Sequence, residues 1–123
     1  MTANRTTENP DAIKTRIAAP DISVVIPAYN EKEGIATVVT NIQHTLDATT
    51  RRYEIIVVDD GSGDGTADEA RRAGARVISH PYNIGNGAAV KTGIRNARGE
   101  ILVILDGDGQ HDPADITRLL EKI

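Results

Sequence analysis

Two aspartates one glycine apart, Asp106-Gly107-Asp108, stand directly after the aliphatic run Ile101 to Leu105. A glycine-permissive turn lets the two carboxylates converge, and Gln110 adds another oxygen donor close by. An oxygen-only donor set suits Mg²⁺ or Mn²⁺, and His111 alone adds little affinity for a softer ion. Asp59, Asp60, Asp64 and Asp112 follow the ends of apolar runs in the same way. If one edge of a sheet gathers all six carboxylates, pairs about 5 Å apart repel by roughly 3 kcal/mol at an effective dielectric of about 20. A bound cation is therefore expected, with Asp106, Asp108 and Gln110 as its ligands. Asp and Gly also populate ordinary turns, so the weight rests on position after an apolar strand rather than on the D-x-D triplet itself. Tyr29 and Tyr82 follow Pro27 and Pro81 in strand-end loops, where an aromatic face is free to stack on a planar base or a sugar. Asp60, one residue past an apolar run, is placed to accept a hydrogen bond from a base N–H, and turn capping competes for the same oxygens.

Short aliphatic runs alternating with helical periodicity must position these residues. Ile22 to Pro27 and Glu54 to Asp59 are uniformly apolar and rich in β-branched residues, as strands buried on both faces are. Ala75 to Ser79 and Glu100 to Leu105 read as two further strands. Between them, Ile35, Val38, Val39, Ile42 and Leu46 recur at helical spacing, with Asn30 and Glu33 as a capping-box pattern. A second helix is expected from Thr66, capped with Glu69 and stopped by Gly74. A third runs from about Gly87 to Arg98, and Asp112 and Pro113 open a fourth. Four βα units imply an α/β fold with a Rossmann-like parallel sheet, right-handed crossovers and strand order 3-2-1-4. A crevice then opens between the first and fourth strands, beyond their carboxyl ends, where open sheets of this kind bind ligands. The loops Pro27 to Glu31 and Asp106 to Pro113 face it.

The chain has 123 residues, 14 Lys+Arg against 18 Asp+Glu, a net charge of −4 and no cysteine, so it holds one domain at most and no disulfide, thiolate zinc site or thiol nucleophile. An acidic chain without clustered Lys/Arg is a poor nucleic-acid binder. Residues 1–20 read as a flexible, polar tail, and 21–123 as the folded part. With no signal-peptide pattern and no apolar run near the ~20 residues of a membrane span, a cytoplasmic location is expected. The first strand is followed by Pro27-Ala28-Tyr29-Asn30 in place of the glycine fingerprint of dinucleotide folds. Gly85 to Thr92 has Val90 where a P-loop needs glycine before Lys91, and the Asp60 to Gly65 run has Arg71 where a calcium loop needs glutamate. No G-x-S-x-G elbow occurs.

Four segments in register, Val25-Ile-Pro-Ala-Tyr-Asn-Glu31, Val57-Val-Asp-Asp-Gly-Ser62 with Asp64-Gly-Thr66, Asn83-Ile-Gly-Asn-Gly-Ala-Ala89 and Leu105-Asp-Gly-Asp-Gly-Gln-His-Asp-Pro113, resemble family 2 glycosyltransferases. The Gly-Gln-His-Asp-Pro continuation is most similar to the polyprenyl- and dolichyl-phosphate mannosyl- or glucosyltransferase branch. The resemblance implies a GT-A fold, an inverting transfer of a hexose from a UDP- or GDP-sugar to a polyprenyl phosphate or a sugar, and Mg²⁺ or Mn²⁺ on Asp106, Asp108 and Gln110. It also implies that Pro27, Ala28, Tyr29, Glu31 and Asp60 line the nucleotide pocket. Asn86 stands at a donor-contacting position where related sequences often carry Lys or Arg, a charge that asparagine cannot supply. Family catalytic domains continue well past this length, so an incomplete domain is expected, with membrane contact only through a C-terminal region lying beyond it. Glu100 to Leu105 points the same way, being a central-strand sequence that here would form a sheet edge. The residues alone also fit a non-catalytic nucleotide- or metal-binding α/β module, or a flavodoxin-like protein with another ligand.

Overall fold

The computed structural model describes residues 19–108 and 113–121. Residues 1–18 of the expected tail, and with them Gln110, His111 and Asp112, lie outside the described residues. Four strands, β1 (Ile22–Ala28), β2 (Tyr53–Asp59), β3 (Arg76–Ser79) and β4 (Ile101–Ile104), alternate with four helices, α1 (Ile35–Asp47), α2 (Thr66–Arg72), α3 (Asn86–Asn96) and α4 (Pro113–Glu121). The sheet is parallel throughout and ordered β3-β2-β1-β4, as the βα alternation predicts. β1 pairs with β2 over seven positions, from Ile22 with Tyr53 to Ala28 with Asp59, so these two strands end level and release their loops side by side.

Every residue of β1 is buried because both faces of the strand are covered. Ile22, Val24, Ile26 and Ala28 join the apolar stripe of α1, Ile35, Val38, Val39, Ile42 and Leu46, in a core completed by Ala70 of α2 and Ile116 of α4. Ile56 and Val58 face the other way, against Ala89 of α3. On that side α3 lies close on β1: a Cβ on Gly93 would come 2.2 Å from Cγ1 of Val25. Small residues in α3 thus set the distance between helix and sheet. β4 is an edge strand, and its Leu102 and Ile104 are 42% and 47% exposed, which matches its reading as a central-type sequence left at an edge.

Below the sheet, at the amino ends of the strands, Glu54 ties the α3–β4 turn to β1 and β3. Its Oε2 accepts from Ser23 Oγ at 2.6 Å and from the Arg98 N–H at 2.7 Å, and its Oε1 accepts from Arg76 Nη1 at 2.8 Å. The Gly99 N–H donates in turn to Ser23 Oγ. Ser23 is fully buried and the Glu54 side chain is only 13% exposed. Glu54→Ala takes the acceptor from the Ser23 hydroxyl and the Arg98 N–H and leaves Arg76 only its bond to the Asn96 carbonyl, so a loss of about 2–3 kcal/mol is expected, read as a lower urea midpoint at unchanged slope.

Two helix starts differ from expectation. Asn30 does not cap α1: it sits at φ 52, and α1 begins at Ile35 with Gly34 as its N-cap and no capping side chain. Its side chain is committed elsewhere, with Oδ1 accepting from the Gly63 N–H at 3.1 Å while its own N–H donates to Ser62 Oγ at 2.8 Å. Thr66 does not cap α2 either. Gly65 precedes it in a left-handed conformation, and the Thr66 N–H is met by Asp64 Oδ1 at 3.0 Å. Thr66 Oγ1 instead accepts from the Glu31 N–H at 2.9 Å. The Thr66 hydroxyl and the Asn30 side chain are drawn into contacts between the β1–α1 and β2–α2 loops, which local capping patterns do not encode.

Candidate functional site

The carboxyl ends of all four strands open into one cavity of about 440 Å³. Pro27, Ala28, Tyr29 and Glu31 from the end of β1, Asp60 after β2, Asn86 at the start of α3, and Asp106 with Asp108 after β4 all line it, whereas Tyr82, the other tyrosine singled out for stacking, is 67% exposed and outside the lining. Asn83, Gly85, Ala89 and Gly107 complete the lining. Asn83, Gly85 and Ala89 belong to the Asn83 to Ala89 segment; their signal is position after the third strand, at the same sheet edge as the other loops. The cavity lies at the β1/β4 boundary, where the order of strands reverses.

The loops are locked to one another before any ligand arrives. Besides the Asn30 and Glu31 contacts above, the Lys32 N–H donates to Asp64 Oδ2 at 3.2 Å. Asp64 therefore spends both oxygens on holding loops, and its hydrogen bond from Thr66, ahead of those from the Lys32 and Thr66 amides, keeps its carboxyl below the usual range. Asp59 is buried and accepts from the Ser62 N–H at 3.1 Å. The expectation of six mutually repelling carboxylates thus needs correction. Asp59, Asp60 and Asp64 are neutralised in good part by N–H donors, because a turn following a strand supplies unpaired amides along with its aspartates.

Asp60 is the most heavily bonded of them. Oδ1 accepts from His80 Nδ1 at 2.8 Å and the Ile84 N–H at 3.0 Å, and Oδ2 from the Gly85 N–H at 2.9 Å and Asn83 Nδ2 at 3.0 Å. Burial, at 3% exposure, disfavours its charge. The His80 hydrogen bond, the Ile84 and Gly85 amides and the charge of His80 outweigh that and hold its carboxyl below the usual range. A depressed folded-state value means that the stability from this carboxylate is fully present above the unfolded value near 4 and is lost as pH falls through the lower folded value. Acid unfolding followed by circular dichroism is expected to show it: Asp60→Asn is less stable than wild type at pH 7, and the gap narrows below about pH 4.

Asp106 and Asp108, by contrast, are exposed on either side of buried Gly107. A Cβ on Gly107 would lie 3.1 Å from the Pro27 carbonyl oxygen and 3.2 Å from the Ala28 Cβ, so the turn between the two carboxylates is pressed against the end of β1. Among the described residues no group of three His, Cys, Asp or Glu gathers around one point. The pair presents only oxygen donors at the cavity wall, the donor type that suits a hard divalent cation. Gly85, the N-cap of α3, and Asn86 and Ala89 of its first turn line the same cavity, and no side chain caps the helix.

The sequence profile of glycosyl transferase family 2 matches residues 23–123. The chain belongs to glycosyl transferase family 2. Among its relatives, a dodecaprenyl-phosphate galacturonate synthase of Rhizobium johnstonii is 33% identical over 109 residues, which are 84% of this chain and 32% of the relative. A dolichol-phosphate mannosyltransferase of Pyrococcus furiosus is 37% identical over 106 residues, 83% of this chain and 30% of the relative. This family 2 chain thus spans about a third of the length of these curated relatives. A solved structure of glucosyl-3-phosphoglycerate synthase from Mycobacterium tuberculosis, in complex with Mn²⁺, uridine-diphosphate-glucose and phosphoglyceric acid, superposes with a TM-score of 0.67 at 31% identity, covering 89% of this chain and 41% of the synthase. The α/β sheet ordered 3-2-1-4 with flanking helices is that of the GT-A glycosyltransferases.

Proposed function

We propose that this chain supplies the donor half of an inverting, metal-dependent hexosyltransferase that takes a UDP- or GDP-sugar and delivers the sugar to a polyprenyl phosphate at the cytoplasmic face of a membrane. The observation that carries this reading is one cavity lined together by Asp106 and Asp108, the end of β1, Asp60 and the start of α3. Asp106 and Asp108, with Gln110 beyond the described residues, would hold Mg²⁺ or Mn²⁺. When bound, the ion neutralises charge on the diphosphate as the nucleotide departs. The N–H groups and dipole of α3 favour an anion at the same place, which supports a diphosphate between the two walls. Tyr29, 48% exposed on the rim, offers its ring to the base or sugar, while Pro27 and Ala28 form an apolar floor. Asn86 contributes an amide, not a charge, so charge on the donor falls to the metal and the helix end.

A phosphate acceptor is already anionic at neutral pH and needs no base to deprotonate it. Among the described residues no helix is long and apolar enough to cross a membrane. The names of the Rhizobium and Pyrococcus relatives support a polyprenyl-type acceptor, and the Mycobacterium complex supports a uridine donor with Mn²⁺. Calorimetry with UDP and with GDP, in Mn²⁺ or Mg²⁺ and again in EDTA, tests the donor half: one nucleotide is expected to bind, and only with metal. Transfer is tested with the chain extended to the length of its relatives, scoring the anomeric configuration of the product. Absence of metal-dependent nucleotide binding in both forms would overturn the proposal, and binding without transfer to any acceptor would reassign the chain to a nucleotide-binding module.

A further inference from the structure

His80 follows β3 and does not line the cavity, yet both of its ring nitrogens are engaged. Nδ1 lies 2.8 Å from Asp60 Oδ1 and Nε2 lies 2.8 Å from Thr92 Oγ1 on α3, with the side chain 11% exposed. Its backbone N–H donates to the Asp59 carbonyl at 2.8 Å, so the ring is anchored from behind. An ionised carboxylate only accepts, which requires the proton on Nδ1. In the neutral ring, Nε2 is then the acceptor and the Thr92 hydroxyl its donor. The two oxygens of Asp60 already receive His80, Ile84, Gly85 and Asn83, filling the roughly four acceptor positions of a carboxylate. Asp60 thus ties the 82–85 arch to the end of β2.

We propose that His80 is a positioning residue of the donor site: in its Nδ1–H form it links Asp60 to Thr92, and so holds the arch against the body of α3, whose first turn lines the cavity. The role rests on the donor-site reading above. It needs the imidazole and the hydroxyl at their present places, whereas filling space alone would not.

Two measurements on the 123-residue chain test it. Ring ¹⁵N resonances of the neutral His80 ring, reached by raising the pH until they stop moving, are expected to show a protonated Nδ1 and an unprotonated, hydrogen-bonded Nε2, and Thr92→Val is expected to shift the Nε2 resonance. Calorimetry with UDP and GDP in Mn²⁺ is expected to give about tenfold weaker nucleotide binding for His80→Ala and about threefold for Thr92→Val, as loss of one hydrogen bond in a chain would. Mn²⁺ binding without nucleotide is expected to stay the same in both, since Asp106 and Asp108 lie on another loop. Thr92→Val removes a single hydroxyl and keeps the question open to test if His80→Ala does not fold. A neutral ring protonated on Nε2, or wild-type nucleotide affinity in Thr92→Val and in any folded His80→Ala, would overturn the positioning role alone. A wild-type chain that binds neither nucleotide overturns the donor-site reading and this role with it.

Discussion

Asp108→Asn is expected to weaken Mn²⁺-dependent nucleotide binding about 100-fold while leaving the fold intact. The substitution keeps the size and one oxygen of the side chain and removes only its charge. A unit charge pair about 4 Å apart at an effective dielectric near 20 is worth about 4 kcal/mol. Allowing for partial replacement by water leaves about 3 kcal/mol, or two decades in affinity. Asp106→Asn is expected to behave alike, because the two carboxylates flank the same pinned glycine and face the same cavity. Stability in metal-free buffer should stay within about 1 kcal/mol of wild type, since both side chains are exposed. Calorimetry in Mn²⁺ and in EDTA, alongside a thermal melt of each variant, separates the two effects. Unchanged metal-dependent affinity in both variants would remove these aspartates from the site.

Much of this arrangement is legible in the chain itself, and the reason is that its elements are written in short-range pattern. Ile22 to Pro27 is apolar at every position because a central parallel strand has no wet face. The spacing of Ile35, Val38, Val39, Ile42 and Leu46 can be buried only as a helix stripe. The commonest order for such βα units is the one found, and a parallel sheet carries Tyr29, Asp60, Asn86, Asp106 and Asp108 to one edge without any knowledge of their contacts. What pattern does not reveal is how a polar side chain in a loop divides its hydrogen bonds among distant partners. Asn30 and Thr66 look like caps within a five-residue window, but their partners lie on a loop more than 30 residues away. The same blindness inflates the charge argument: a sequence shows the carboxylates of Asp59, Asp60 and Asp64 and not the amides of Ser62, Ile84, Gly85 and Lys32 that meet them. His80 and Thr92, twelve residues apart across a strand-to-helix connection, carry no local signal of their link.

Gly61→Ala is expected to destabilise the chain by about 3–5 kcal/mol, and Gly63→Ala, two residues on, by less than about 0.5 kcal/mol. Gly61 has φ 78, a left-handed conformation in which a Cβ costs about 1–2 kcal/mol. A Cβ there would also stand 2.3 Å from the Tyr82 carbonyl carbon and 2.5 Å from the Asn83 nitrogen, both backbone atoms with no rotamer to relieve the clash. The 82–85 arch would have to move away, and the arch is held by Asp60, so hydrogen bonds to the Ile84 and Gly85 amides and Asn83 Nδ2 would stretch together, at about 1 kcal/mol or more each if lost. A Cβ on Gly63 meets nothing within 4 Å, which makes it the matched control for the loss of glycine entropy in the same turn. For a domain whose total stability is on the order of 5–15 kcal/mol, the first substitution takes a large share, and urea midpoints of the two variants measured side by side report it directly. The arch also walls the cavity, so in any Gly61→Ala protein that remains folded nucleotide affinity should fall along with the midpoint. Equal midpoints for the two variants would mean that the β2–α2 turn and the arch do not touch as described.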